Sequence, residues 1–205
     1  MIVEQAPPSW HGAAHARNLT SAALRMTYQL RPHGAHHVGT SGPLLMVTRC
    51  EGVLAGPFVR ALAPRPIHVI ANEAMASAVP VGVMSKAGDI APASPYAISA
   101  QRQGLSALAD ERAVLLAGSL VSVGYLAAMS GAQLMPVVLV GAEGRVPTDP
   151  PRPRSRIDVF FMEPVRLTIP GDPLRSSTRV AIVEQIRQLV ADAEKVATMR
   201  MGGVR

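Results

Sequence analysis

Aromatic side chains make up only 3% of this 205-residue chain, and Trp10 is its one tryptophan. Single-stranded nucleic acids are held largely by base stacking on such rings. The sequence also shows no double-stranded-RNA or helix-turn-helix pattern, so no nucleic-acid partner is expected. There is one cysteine, Cys50, which rules out an internal disulfide and suits a reducing compartment. The opening MIVEQAPPSW has no basic segment followed by an apolar one, so no secretory signal is read there. A cytoplasmic protein is expected, or one peripheral on the inner face of the membrane. Lysine is nearly missing: Lys86 and Lys195 are the two in a chain of net charge +6, so the positive charge is arginine. Such a balance suits an anionic partner, either a phospholipid surface or a nucleotide-bearing ligand.

Charged residues are scarce too, at 17% against 48% hydrophobic, a globular rather than disordered composition. The length suits one domain with a sizeable core. No internal repeat or low-complexity block breaks it.

Residues 1–40 read as an irregular lead followed by a docking helix. Trp10 is expected to pack onto the domain. Asn18 or Thr20 could cap a helix running to about Leu30, with Leu19, Ala22, Ala23, Met26 and Leu30 as its apolar stripe. His33, His36 and His37 follow. Close imidazoles can share an ion, but no acidic or cysteine partner lies near them in sequence. They read as a solvated loop, with no metal and no cofactor expected.

The stretch Gly42 to Pro57, GPLLMVTRCEGVLAGP, organises the rest. Leu44 to Val47 suits a buried strand. Thr48 to Gly52 is a polar turn, and Val53 to Leu62 reads as a helix. Its N-terminus would offer free N–H groups to an anion. Pro66 to Ala71 is a second strand, and Ser94 to Asp110 a helix. Residues 113–142 contain thirty residues without a charge, long enough to span a bilayer. Gly118, Gly124, Gly131 and Pro136 instead divide them into strand, turn, helix and buried strand. Ala142 to Arg156 is a loop rich in proline and arginine. Its Arg145, Arg152, Arg154 and Arg156 could meet an anionic membrane surface. Ile157 to Ile169 reads as a strand pair. A final amphipathic helix runs from Ser176 or Ser177 to Val196, before a flexible tail at 197–205.

The Gly42 block resembles the first motif of the glycerolipid acyltransferases, the lysophosphatidate-type superfamily. That motif reads roughly G-P, apolar run, N-H-x-S-x-x-D. The resemblance implies a general-base histidine at position 49 and an orienting aspartate at position 54. This chain has Arg49 and Leu54. Glu73, Pro80, Gly88 and Ile90 fit the family's second block, although Gly82 is displaced. The phosphate-binding arginine of that block would fall near Ser94, and no arginine occurs between Arg65 and Arg102. The third block, F-P-E-G-T-R-S in the family, is matched by Leu115 to Val121. Gly118 stands unchanged and Ser119 replaces the threonine, while Ala117 and Leu120 replace the Glu and Arg. Ala127 to Gly141 fits the fourth block, including Pro136.

The resemblance covers about Thr40 to Glu194. It implies an α/β fold: a mixed, mostly parallel sheet flanked by helices, with the acyltransferase-like domain over 41–196. It also implies a cleft above Arg49, Cys50, Glu51, Gly118 and Ser119. With Arg49, Leu54, Ala117 and Leu120 at the degenerate positions, no catalytic residue is assigned. The expected role is an inactive relative acting as a lipid- or acyl-binding protein, or as a scaffold for a protein partner, in lipid or cell-envelope metabolism. The alternative is an active enzyme with displaced residues. It would move an acyl chain from acyl-CoA or acyl-carrier protein to a lysophospholipid or related hydroxyl. A covalent route through Cys50 would need a base, and no histidine adjoins it. His68 reads as a core or rim histidine.

Overall fold

The computed structural model describes residues 8–90, 98–118 and 123–202. Its centre is a six-stranded sheet in the order β1-β6-β5-β2-β4-β3. The strands are β1 (Gln29–His33), β2 (Leu44–Thr48), β3 (Ile67–Ile70), β4 (Ala113–Ala117), β5 (Gln133–Val140) and β6 (Arg156–Phe161). Every neighbouring pair is parallel except β5 and β6. The α/β class and the mixed, mostly parallel sheet expected from the sequence are therefore present.

The central strands are apolar throughout because both faces of the sheet are covered. In β2, Leu44 and Met46 enter one core while Leu45 and Val47 enter the opposite one. The first core lies under α1 (Trp10–Thr27) and α2 (Ala55–Leu62), with α3 (Glu73–Ala78) and α4 (Val81–Lys86) beside them. The second lies under α5 (Ile98–Ala109), α6 (Val123–Ser130) and α7 (Ser176–Gly202). All three phenylalanines, Phe58, Phe160 and Phe161, are buried. Phe58 meets Tyr28 edge-on at 5.2 Å, the geometry that ring quadrupoles favour.

Several expected boundaries move. The first helix begins at Trp10, not near Asn18, because the Ser9 side chain accepts from the Gly12 N–H at 3.1 Å and caps it. It ends at Thr27, since Gln29–His33 leaves to pair with β6. Gly12 and Gly88 let α1 approach the α4 end. A β-carbon on Gly88, already at φ +70°, would lie 2.5 Å from the Ser9 carbonyl oxygen. Trp10 packs as expected, against His68 and beneath the Arg112 guanidinium. The strand pair expected at 157–169 is one strand, β6. Beyond it, Val165 makes a single antiparallel bridge to Leu134. The expected tail from residue 197 is helical to Gly202, with Ala197 fully buried. Residues 113–142 divide as expected, into β4, α6 and β5. No helix among the described residues is long and apolar enough to cross a membrane.

Candidate functional site

Parallel strands deliver their C-terminal ends, and the loops after them, to one edge of the sheet. Here β2 and β4 end side by side, and the Gly118 N–H donates to the Thr48 carbonyl at 2.9 Å. Arg49 to Gly52 leave β2 and turn into α2. Asn72, which caps α3 by accepting from the Met75 N–H, also fastens this turn. Its Nδ2 donates to the carbonyls of Glu51 at 2.9 Å and Gly52 at 3.2 Å. The loop after β5 forms the far wall: the Pro147 carbonyl accepts from the Val53 N–H at 2.8 Å.

These segments enclose a cavity of about 580 Å³. Arg49, Cys50, Glu51 and Gly118 line it together, with Val137 to Leu139, Glu143 to Pro147, and Glu194 from α7. Arg49 Nη1 donates to Glu194 Oε2 at 3.2 Å, both side chains partly exposed. Cys50 is buried, and its thiol is pushed up to about 11. Burial is the main cause, partly offset by a hydrogen bond from the Gly52 backbone, with the Glu143 and Glu51 charges adding to it. Such a thiol carries little thiolate at neutral pH and is a poor nucleophile. Two of the N–H groups expected to offer an anion site at the start of α2 already have partners. The Val53 N–H is taken by Pro147, and the Ala55 N–H by Gly52 at 2.9 Å.

Leu54 opens α2, half-buried against the first core and away from the cavity lining. Ala117 is buried in β4. Ser94, Ser119 and Leu120 lie outside the described residues. The four loop arginines separate. Arg145 lines the cavity, whereas Arg152 and Arg154 are exposed on a turn tied to Thr27 by the Arg154 N–H. Arg156 is in β6, where its Nε bonds Asp158 Oδ2 at 2.6 Å.

An imidazole–carboxylate couple does exist, at the other edge of the sheet. His33 Nε2 lies 2.7 Å from Asp158 Oδ1, and the ring stacks on Phe160. Neither residue lines the cavity, and among the described residues no histidine does. The His36 and His37 rings lie 4.1 Å apart, centre to centre, tilted by 42°. No group of three metal-binding side chains occurs among the described residues.

Sequence reasoning missed Glu143, Glu194 and Asn72. Glu143 carried a usable signal, since it follows the apolar run of β5 at a strand's C-terminal end. Glu194 carried none, because it reaches Arg49 across 145 positions of chain.

No family model and no curated protein matches the sequence. The structure is similar to the 1-acyl-sn-glycerophosphate acyltransferase PlsC of Thermotoga maritima. The TM-score is 0.59 at 12% identity, covering 87% of this chain and 78% of that one. The fold is that of the acyltransferase. Within this acyltransferase fold the cavity sits where β2, β4 and β5 present their ends. The residue leaving β2 into it is an arginine tied to α7.

Proposed function

We propose that this protein uses the acyltransferase fold to bind a lipid or acyl chain in its cleft without transferring it. It would act as a scaffold or regulatory partner in lipid or cell-envelope metabolism, in the cytoplasm or peripheral on the inner face of the membrane. The observation that carries the reading is the Arg49–Glu194 pair. Position 49 is where the resemblance implies a base, and a guanidinium stays protonated and cannot accept the proton of a hydroxyl. Leu54, at the position implied for the orienting aspartate, has no polar atom to offer. General-base catalysis alone is worth about 10²–10⁴-fold. Val137, Leu139, Val146 and Pro147 are the apolar members of a lining that is otherwise mostly polar, and an acyl chain would lie against them.

The active-enzyme reading needs another base or nucleophile in the cleft. Cys50, with its raised thiol pKa, serves poorly. The test is incubation of purified protein with labelled acyl-CoA or acyl-carrier protein and a panel of lysophospholipids. No turnover above the protein-free blank is expected. Turnover that disappears in Arg49→Ala or Cys50→Ala would overturn the proposal. Native mass spectrometry of the purified protein is expected to show a bound lipid.

A further inference from the structure

We propose that this protein lays one end of its sheet, the end on which the cleft opens, against an anionic lipid bilayer. The inference rests on the peripheral placement read above and names the surface that would make it.

The topology gathers three segments at that end. β2 and β5 finish there, and β6, antiparallel to β5, begins there. β1 runs parallel to β6 with Gln29 level with Arg156, so it begins there too. The last turn of α1, which leads into β1, is thereby brought to the rim of the cleft on the face of the first core. The loop after β5 is tied to it. The Arg154 N–H donates to the Thr27 carbonyl at 2.7 Å, and the Tyr28 hydroxyl donates to the Pro151 carbonyl at 3.1 Å. The last turns of α7 arrive from the opposite face: Glu194 lines the cleft, and Arg156 Nη2 reaches the Met201 sulfur at 3.7 Å.

These three segments expose apolar and basic groups together. Met26 on α1 is 88% exposed and Met199 on α7 is 74% exposed. They are the two most exposed large hydrophobic side chains among the described residues. Val146 on the loop and Val196 on α7 are exposed as well. So are Arg25, Arg145, Arg152, Arg154 and Arg200, none of them in an ion pair among the described residues. From residue 5 to residue 50 the chain has no Asp or Glu, so α1 and β1 add no opposing charge. Asp149 is the one acid in the loop from 144 to 155, and Glu51 and Glu143 belong to the cleft lining. The other end of the sheet, where β4 begins and β6 finishes, has no such excess. Asp110, Glu111 and Glu163 stand there with Arg112 and Arg166.

A bilayer supplies both partners at once: anionic head groups for the arginines, and acyl chains for two flexible thioethers and two valines. Because the cleft opens on this surface, a lipid guest would enter it without crossing water.

The experiment sediments the full-length protein with vesicles of phosphatidylcholine alone, or of phosphatidylcholine mixed with phosphatidylglycerol, at physiological salt. Binding is expected to the mixed vesicles and little to the neutral ones. Each arginine at such a surface is worth about fivefold in partitioning, so Arg152→Gln with Arg154→Gln should weaken binding roughly 25-fold. Lys86→Gln with Arg166→Gln removes the same charge from the other end, where Lys86 adjoins Gly12 near the start of α1 and Arg166 follows β6. That pair should change binding by less than about twofold, since charges beyond a Debye length are screened. Met26→Gln with Met199→Gln should weaken binding about fivefold or more. All six side chains are exposed, and far-ultraviolet circular dichroism checks that each variant is folded. Equal losses from the two charge pairs, full binding by the methionine pair, or equal binding to neutral vesicles overturns the surface assignment and leaves the peripheral placement standing. No binding to either vesicle overturns the placement and this inference with it. Whether the cleft holds a lipid is read separately, by the native mass spectrum.

Discussion

The Trp10 indole stands 5.8 Å from the His68 imidazole, ring centre to ring centre, tilted by 52°. His68 is fully buried, and its Nδ1 donates to the Gly88 carbonyl at 2.7 Å. Its Nε2 is buried without a partner. Burial lowers its pKa, the Gly88 hydrogen bond opposes that, and the Arg112 and Arg60 charges lower it further. The unfolded chain takes up a proton here near the ordinary value of about 6.5, which the folded chain resists. Stability is therefore lost as pH falls below about 6.5 towards the lowered value. His68→Asn keeps a donor but does not titrate. Between pH 7 and pH 5, wild-type Tm should fall more steeply than that of the variant, and Trp10 fluorescence reports the change. Equal slopes would contradict the assignment.

Arg60 and Asp89 form an ion pair with both side chains almost wholly buried, and Asp89 Oδ1 also accepts from the Val69 N–H at 3.3 Å. Removing one partner leaves a buried charge uncompensated, which costs about 3–5 kcal/mol. Asp89→Ala should lower Tm by about 10 °C or more, measured by differential scanning calorimetry. A loss of only a degree or two would mean that water reaches Arg60.

The raised Cys50 pKa has a direct chemical readout. At pH 8 a thiol titrating near 11 is about one part in a thousand thiolate. Iodoacetamide should label native protein about a hundredfold more slowly than protein unfolded in guanidinium, as followed by intact-mass spectrometry. Rapid labelling of the native form would revive the acyl-cysteine route.

The Arg49–Glu194 pair is half in solvent, where such pairs are worth about 0–1 kcal/mol. Glu194→Gln should shift Tm by no more than about 3 °C. Arg49→His with Leu54→Asp should not yield measurable acyl transfer. Leu54 is absent from the cavity lining, and the third-block positions would still be Ala117 and Leu120. A radiolabelled acyl-transfer assay decides; turnover would show that the cleft retains the rest of the machinery.

Strong local patterns made most of the fold readable. Leu44 to Val47 and the division of residues 113–142 at its glycines survive because buried parallel strands are short apolar runs between breakers. Gln29–His33 did not read as a strand. It mixes polar residues with Pro32, and it earns its place through a parallel partner, Arg156–Phe160, more than a hundred positions away. The site divides the same way. Arg49, Cys50, Glu51 and Gly118 were legible because two adjacent strands end there. Glu194 was not, because its amphipathic helix signals only which face is buried. The short helices Glu73–Ala78 and Val81–Lys86 lay inside a motif block that drew attention to its spacing rather than its periodicity.

Asn72 clamps the turn carrying Arg49 through two main-chain carbonyls, and Pro147 is stitched to Val53 in the same backbone-directed manner. The mouth of the cleft thus keeps its shape whatever side chains stand at positions 49 and 54. In such a scaffold a substitution at either position alters the chemistry of the cleft while its outline persists.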